Sequence, residues 1–314
     1  MAEKRIEPIE RVNTGNEIRL VLNYKGLGDV ICAAYAAAGL VHENPDKRVV
    51  FDVVEQKADW GRVFLDAEPA SHKRPPEYRL TPVNPLNRYG LRYHIHEKYT
   101  RHHQWAKRVN TKPRFPKFEK PKPFDWGRVG LNRPPVVIVP ESTESSRVWQ
   151  PMPEHPYTNW ARLAEMLERD GIPVLALSSL PFCRSYSTTT PADMMSLLAS
   201  APLIIGNDSG PQHIAGMLGK HVIALVSIDY GPGVFGYYPH VKTIQGKLPC
   251  SPCHRIQDYG YGTWCPGWCE ALALIQPDEV YREAIKILSA MPPTEEICAI
   301  RETPTQESLP ATCR

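Results

Sequence analysis

No run of about 18 apolar residues occurs anywhere in the 314-residue chain, so no segment reads as a membrane-spanning helix. The opening, MAEKRIEPIERVNTGNE, has no apolar signal core, and the expected location is cytoplasmic. There is no repeat of solenoid length. No Asp-x-Asp pair of the kind that holds a catalytic divalent ion is present either. The eight cysteines, in a chain without an export signal, point to free thiols with or without a metal site, not to a disulfide framework. Acids are nearly missing from Ser71 to Pro123, where fourteen Lys/Arg face three Asp/Glu, while the remainder of the chain is net acidic. One part of the protein is therefore suited to meeting an anion. With 42% hydrophobic and 23% charged residues the chain is of ordinary globular composition, and its length favours two α/β units.

What is present is organised around APLIIGNDSGPQHIAGMLGKHVIALVS, residues 201 to 227. Pro202 to Ile205 reads as a buried strand running into a polar turn, Gly206-Asn207-Asp208-Ser209-Gly210. Pro211 opens a helix, Gly219 stops it, and Val222 to Val226 is the next buried strand. Turn amides and the positive end of a helix dipole then face one space, an arrangement that favours an anion. Ser209 is placed to cap the helix, Gly210 lets the backbone come close, and His213 on the first turn faces the anion. This is a phosphate cradle distinct from the P-loop. Taken alone, the same residues also read as ordinary helix caps with a surface histidine.

The rest of the chain alternates strands and helices. Residues 1–16 read as a loosely held arm. Glu17 to Asn23 is a first strand, followed by the turn Tyr24-Lys25-Gly26-Leu27-Gly28-Asp29. An Ala-rich helix, Val30 to Leu40, ends at Gly39 or soon after, and a strand (Arg48 to Val54) and a short helix (Ala58 to Leu65) follow. The basic stretch 71–123 carries eight prolines, five histidines and seven aromatics, Trp105, Phe115 and Phe118 among them. That aromatic content argues for an ordered acceptor-binding insertion over a solvated linker, with a helix within Tyr93 to Val109. The rhythm resumes with strands at Val136 to Pro140 and Pro173 to Ser178, and helices at Trp160 to Arg169, Asp193 to Ala199 and Pro277 to Ala290. The expected units are an arm (1–16), an acceptor-side lobe (17–130), a donor-binding lobe (131–290) and a tail (291–314).

The string NDSGPQHIAGMLGKHVIAL resembles the donor-site signature of glycosyltransferase family 9, the heptosyltransferase-like enzymes. Matching segments stand in order at the Gly-Asp turn near Asp29, around Arg147, and in the cysteines after Cys250. The resemblance implies a GT-B fold: two Rossmann-like lobes facing a central cleft, with the N-terminal lobe reduced or remodelled. It implies that Asp208, Ser209, Gly210, Pro211 and His213 hold the diphosphate of a nucleotide sugar of the ADP- or UDP-sugar class. Arg147, where the family usually has Lys, and Ser142 join them. Asp29 matches the family's catalytic base, on an acceptor-side turn with Lys25, Gly26 and Gly28. Read without the resemblance, Asp29 at the carboxyl end of a strand is either a ligand-facing carboxylate or a helix cap. Inverting transfer without a catalytic metal is the family expectation.

Cys250-x2-Cys253 and Cys265-x3-Cys269 have spacing that suits a tetrahedral structural zinc or iron site, with packed thiols as the alternative. Cys32, Cys183, Cys298 and Cys313 are scattered and read as core or tail thiols. The expected activity is sugar transfer to an anionic polymeric acceptor, either a lipopolysaccharide-core-type saccharide or DNA. Hydroxymethylated bases of viral-type DNA suit the basic, aromatic-interleaved segment. A non-catalytic nucleotide-sugar-binding module and an epimerase are the readings from other classes.

Overall fold

The computed structural model describes residues 9–22, 26–53, 57–69, 101–141, 149, 157–227, 230–252 and 269–292. Two sheets carry the chain. The first has the order β1-β2-β3-β4, formed by Ile9–Thr14 (β1), Glu17–Leu22 (β2), Arg48–Asp52 (β3) and Glu68–Pro69 (β4). Strands β2, β3 and β4 are parallel, with Leu20 opposite Phe51. The second sheet is built from Val136–Val139 (β5), Val174–Ala176 (β6), Arg184–Ser185 (β7), Leu203–Asn207 (β8), His221–Val226 (β9) and Val241–Gln245 (β10). All its pairings are parallel and its order is β10-β9-β8-β5-β6-β7. Counted from β5, this is the doubly wound Rossmann order, in which direction reverses between β5 and β8 and ligands bind beyond the carboxyl ends of those strands.

The helices are Leu27–Glu43 (α1), Ala58–Gly61 (α2), Arg101–Arg108 (α3), Thr158–Arg169 (α4), Pro191–Ser200 (α5), Gly210–Met217 (α6), Gly231–Phe235 (α7), Glu270–Ala273 (α8) and Pro277–Ala290 (α9). Strand β5 shows how the second sheet is covered. Val136 and Ile138 pack into one apolar cluster with Trp160, Leu163 and Leu167 of α4 and Val280 and Ala284 of α9. Val137 and Val139 join the other cluster, with Ile214 of α6. Successive side chains of a strand point to opposite faces, so a run buried on both sides is apolar throughout.

That second cluster continues into the first sheet through α1, in which every residue from Val30 to Leu40 is buried. The helix is Ala-rich for this reason: β2 and β3 lie on one side, α3 and α6 on others, and only small side chains let all of them approach. It runs on to Glu43, past the expected stop. Gly39 lies within it, and a Cβ there would strike the Lys112 carbonyl.

The expected loose arm is not loose where the structure describes it. Ile9–Thr14 pairs antiparallel with β2, and Gly15, at φ +55°, closes the hairpin. The strand is polar because it edges the sheet. Of the helix expected within Tyr93 to Val109, Arg101–Arg108 is helical and the earlier part lies outside the described residues, as does most of the basic stretch. From Thr111 to Asp125 the chain forms neither helix nor strand apart from a bridge between Phe118 and Phe64. Lys107, Lys112, Arg114, Lys117, Lys120 and Lys122 lie exposed along this part of the chain.

Two histidines make stability depend on pH. His221, at the start of β9, packs its ring 5.2 Å from His240, and burial, His240 and Lys220 hold its pKa below the ordinary value. Burial lowers His103 in the same direction. The unfolded chain binds protons at these sites more readily, so their contribution is complete above about pH 6.5 and is lost as the pH falls below it. The expected result is a melting temperature that drops between about pH 7 and pH 5.5. The drop should be shallower in His221→Asn, as thermal melts across that range would record.

Candidate active site

Strand β8 delivers Asn207, Asp208 and Ser209 to the crevice, and α6 starts at Gly210 with Pro211 in its first turn. The first-turn amides have no partner inside the helix and face the same space as its dipole. Ser209 occupies the N-cap position with extended backbone, but contrary to expectation its side chain does not cap the helix. The buried Gln212 braces the turn from within instead. With its amide nitrogen turned back to the turn, it reaches Ser209 Oγ at 2.5 Å, the Ser209 carbonyl at 3.2 Å and the Asn207 carbonyl at 2.9 Å. Asn207 Nδ2 donates to the Pro140 carbonyl at 2.6 Å, stitching the carboxyl ends of β8 and β5 together at the switch point.

His213 also departs from expectation. Its ring does not stand open to the crevice; it is buried, stacked on Phe235 with centroids 4.6 Å apart. Nδ1 lies 3.3 Å from the Tyr238 hydroxyl, and Nε2 lies 4.0 Å from the Asp208 carboxylate. This pairing gives Asp208 a physical role. A carboxylate beside a bound diphosphate would repel it, whereas one that orients the His213 ring supports the cradle indirectly.

Asp29 sits in the first turn of α1, half-buried, with Gly26 at the N-cap. Its amide bonds the Gly26 carbonyl at 3.1 Å. A Cβ on Gly26 would collide with Asp29 Oδ2, so glycine there leaves the carboxylate its place above the turn. The N-termini of α1 and α6 meet. A Cβ on Gly28 would lie 2.7 Å from His213 Cδ2, and one on Gly210 would lie 2.6 Å from Leu27 Cβ. The carboxylate turn and the anion cradle, about 180 residues apart in sequence, thus share one space.

Gly28→Ala should therefore push the His213 ring off Phe235. Overpacking of this kind costs about 1–3 kcal/mol. A lowered melting temperature is the expected reading.

Lys25, Ser142 and Arg147 lie outside the described residues. The segment that carries Ser142 and Arg147 leaves the carboxyl end of β5. Just past it stands buried Trp149, whose indole donates to the Ile275 carbonyl at 2.9 Å and meets Trp160 edge-on at 4.9 Å. Of the four clustered cysteines, Cys250 and Cys269 are described, neither in a disulfide; Cys253 and Cys265 lie outside the described residues. The chain on either side of that loop is drawn together. Lys247 N–H donates to the Ala271 carbonyl at 2.8 Å.

Sequence reasoning missed Gln212, Tyr238 and His102. The Tyr238 hydroxyl lies 2.8 Å from His102 Nε2, which itself lies 3.6 Å from Cys32 Sγ. Around them Tyr35 and Tyr237 are pushed up in pKa by burial, so both stay protonated at neutral pH. A cavity of about 930 Å³ opens beside Gly216–Lys220 at the far end of α6. At 1.5 Å per residue it is roughly 12 Å from the cradle, too far for its contents to meet a sugar held there.

Residues 187–260 match the model of glycosyltransferase family 9 (heptosyltransferase). No curated protein matches the chain. Among solved structures, the iron-containing dodecameric glycosyltransferase TibC from enterotoxigenic E. coli aligns over 85% of this chain and 74% of its own, with 16% identity and a TM-score of 0.65. The E. coli ADP-heptose lps heptosyltransferase II aligns over 84% and 96%, with 16% identity and a TM-score of 0.56. A family 9 glycosyl transferase from Veillonella parvula aligns over 87% and 96%, with 14% identity and a TM-score of 0.57. These likenesses give the fold as GT-B, and the family match falls on the half of the chain that contains the cradle. Over residues 187–260 the chain is thus similar to glycosyltransferase family 9, the heptosyltransferases, and its fold is that of the GT-B transferases.

Proposed function

We propose that the protein transfers a sugar, with inversion, from an ADP-heptose-class donor to a hydroxyl of an anionic saccharide. The observation that carries this reading is the meeting of the α1 and α6 N-termini, which sets one carboxylate beside one anion cradle. Asp29 takes the proton of the acceptor hydroxyl as its oxygen attacks the anomeric carbon. The bond from that carbon to the diphosphate breaks on the opposite face. The charge left on the diphosphate is met by the first-turn amides of α6, its dipole and the Arg147 guanidinium. Gly210 and Pro211 shape the approach, Ser209 and Gln212 hold the turn, and Asp208 orients His213. The donor class follows the ligands of similar structures, one of which is TibC in complex with ADP-D-beta-D-heptose.

The exposed cations from Lys107 to Lys122 support an anionic acceptor. Cys250, Cys253, Cys265 and Cys269 are the residues that would hold a structural zinc or iron, and the Lys247–Ala271 backbone bond across their flanks supports a closed loop there. Bound, the ion would cross-link that loop and leave the transfer chemistry to Asp29 and the cradle.

The test is incubation with ADP-heptose, other ADP-sugars and UDP-sugars against two acceptors, lipopolysaccharide-core fragments and hydroxymethylcytosine-containing DNA, read by mass spectrometry. A heptose mass gain on the saccharide is expected. A gain on the nucleoside alone would move the acceptor to DNA. Donor turnover without any acceptor would make the protein an epimerase or hydrolase.

A further inference from the structure

Among the described residues, one group of ligating side chains lies apart from the paired cysteines. Cys32 of α1, His102 of α3 and His213 of α6 converge with all their ligating atoms within 4.8 Å of one another, each side chain buried. The Tyr238 hydroxyl joins them, 2.8 Å from His102 Nε2 and 3.3 Å from His213 Nδ1. We propose that Cys32, His102 and His213, with the Tyr238 hydroxyl as fourth donor, bind a zinc-class divalent ion between the two lobes.

Three observations carry this. The donor set is the thiolate-and-imidazole mixture that such an ion selects, and carboxylates, which would suit magnesium or calcium, are absent from it. The spacing fits as well. With bonds of about 2.3 Å to sulfur and about 2.05 Å to nitrogen at tetrahedral angles, the sulfur–nitrogen edge is about 3.6 Å and a nitrogen–nitrogen or nitrogen–oxygen edge about 3.3 Å. Cys32 Sγ and His102 Nε2 stand 3.6 Å apart, and His213 Nδ1 and the Tyr238 oxygen 3.3 Å. The longest separation closes by about 1 Å of side-chain rotation. Third, the other nitrogen of His213 faces the Asp208 carboxylate at 4.0 Å, about 1 Å of closure from the outer-sphere bond that fixes a ligating imidazole. On binding, the Cys32 thiol releases its proton to solvent and both imidazoles ligate as neutral rings, so one proton leaves per ion.

The location has a consequence. α1 and α3 pack with the first sheet, whereas α6 and Tyr238 belong to the second. The ion would clasp the lobes together one ring away from the cradle, with His213 shared between metal and cradle through its two nitrogens.

The experiment uses the full chain, purified without a histidine tag, carrying Cys250→Ser and Cys269→Ser so that the other cysteine cluster is silenced. It is loaded with Zn²⁺ or Co²⁺ alone. One ion per chain is expected, with a thiolate-to-cobalt charge-transfer band and tetrahedral d–d absorption. Cys32→Ala and His102→Ala should each weaken binding beyond the roughly 10–100-fold that follows loss of an outer-sphere partner. Uptake of no stoichiometric ion by the Cys250/Cys269 variant overturns the proposal, as does a cobalt spectrum unaffected by Cys32→Ala. Should either alanine variant fail to fold, X-ray absorption of the zinc-loaded parent decides. One sulfur per ion is expected; a shell with no sulfur or several overturns the assignment. Metal content and spectra are read without substrate, so failure of the transfer assay leaves this test standing.

Discussion

Asp29→Asn is expected to lower the turnover of sugar transfer by about 10²–10⁴-fold, the range a positioned general base contributes, while ADP binds as before. The substitution keeps size and shape at a site where both matter. Asp29 lies in the first turn of α1, its amide tied to the Gly26 carbonyl, its carboxylate occupying space that only a glycine at 26 leaves open. Asparagine preserves these contacts and removes only the proton-accepting charge. If Asp29 served α1 as a favourable first-turn charge and nothing more, the same substitution would cost about 0.3–1 kcal/mol of stability and leave turnover unchanged. Turnover with ADP-heptose and an acceptor, measured beside a thermal melt, separates the two. A loss confined to kcat identifies the base; a loss confined to melting temperature removes Asp29 from the chemistry.

Both ends of this site were partly legible in the chain. The strand–turn–helix–strand unit from Leu203 to Val226 could be read because its strands are apolar on both faces, Pro211 opens the helix and Gly219, at φ +70°, ends it. The Gly-Asp turn could be read because it follows an apolar strand and precedes an Ala-rich helix. That α1 would be buried on all sides, and would press its N-terminus onto that of α6, depends on packing between elements about 180 residues apart, which no local pattern encodes. For the same reason His102 and Tyr238, 136 positions apart, were not visible as partners, and Cys32 read as an ordinary core thiol. The first strand was hidden differently. An edge strand with one wet face has little apolar signal, and only the Thr14-Gly15-Asn16 turn marked it. Ser209 misled because serine is the residue expected to cap a helix; here its hydroxyl is engaged by a buried glutamine one turn on.

That glutamine sets up the second large effect. Gly206→Ala is expected to cost about 1–3 kcal/mol of stability by overpacking and to abolish measurable donor binding. Gly206 is the penultimate residue of β8, and its backbone needs no special φ, so conformational freedom is not why glycine stands there. Space is. A Cβ at 206 would overlap the terminal amide of Gln212, lie 2.8 Å from Gln212 Cδ and stand 2.9 Å from Val139 Cβ on β5. Val139 belongs to a packed core and cannot yield. Gln212 must leave instead, taking with it the bonds to the Asn207 and Ser209 carbonyls that hold the turn between strand and helix. The amides of α6 would then no longer present themselves to the diphosphate as a set. The double variant Gly206→Ala/Gln212→Ala separates the causes. Removing the glutamine relieves the overlap, so the melting temperature should recover most of its loss. Donor binding should not recover, because the cradle still lacks its internal brace. Recovery of both would mean that Gln212 is an obstacle to the alanine and not the support of the turn.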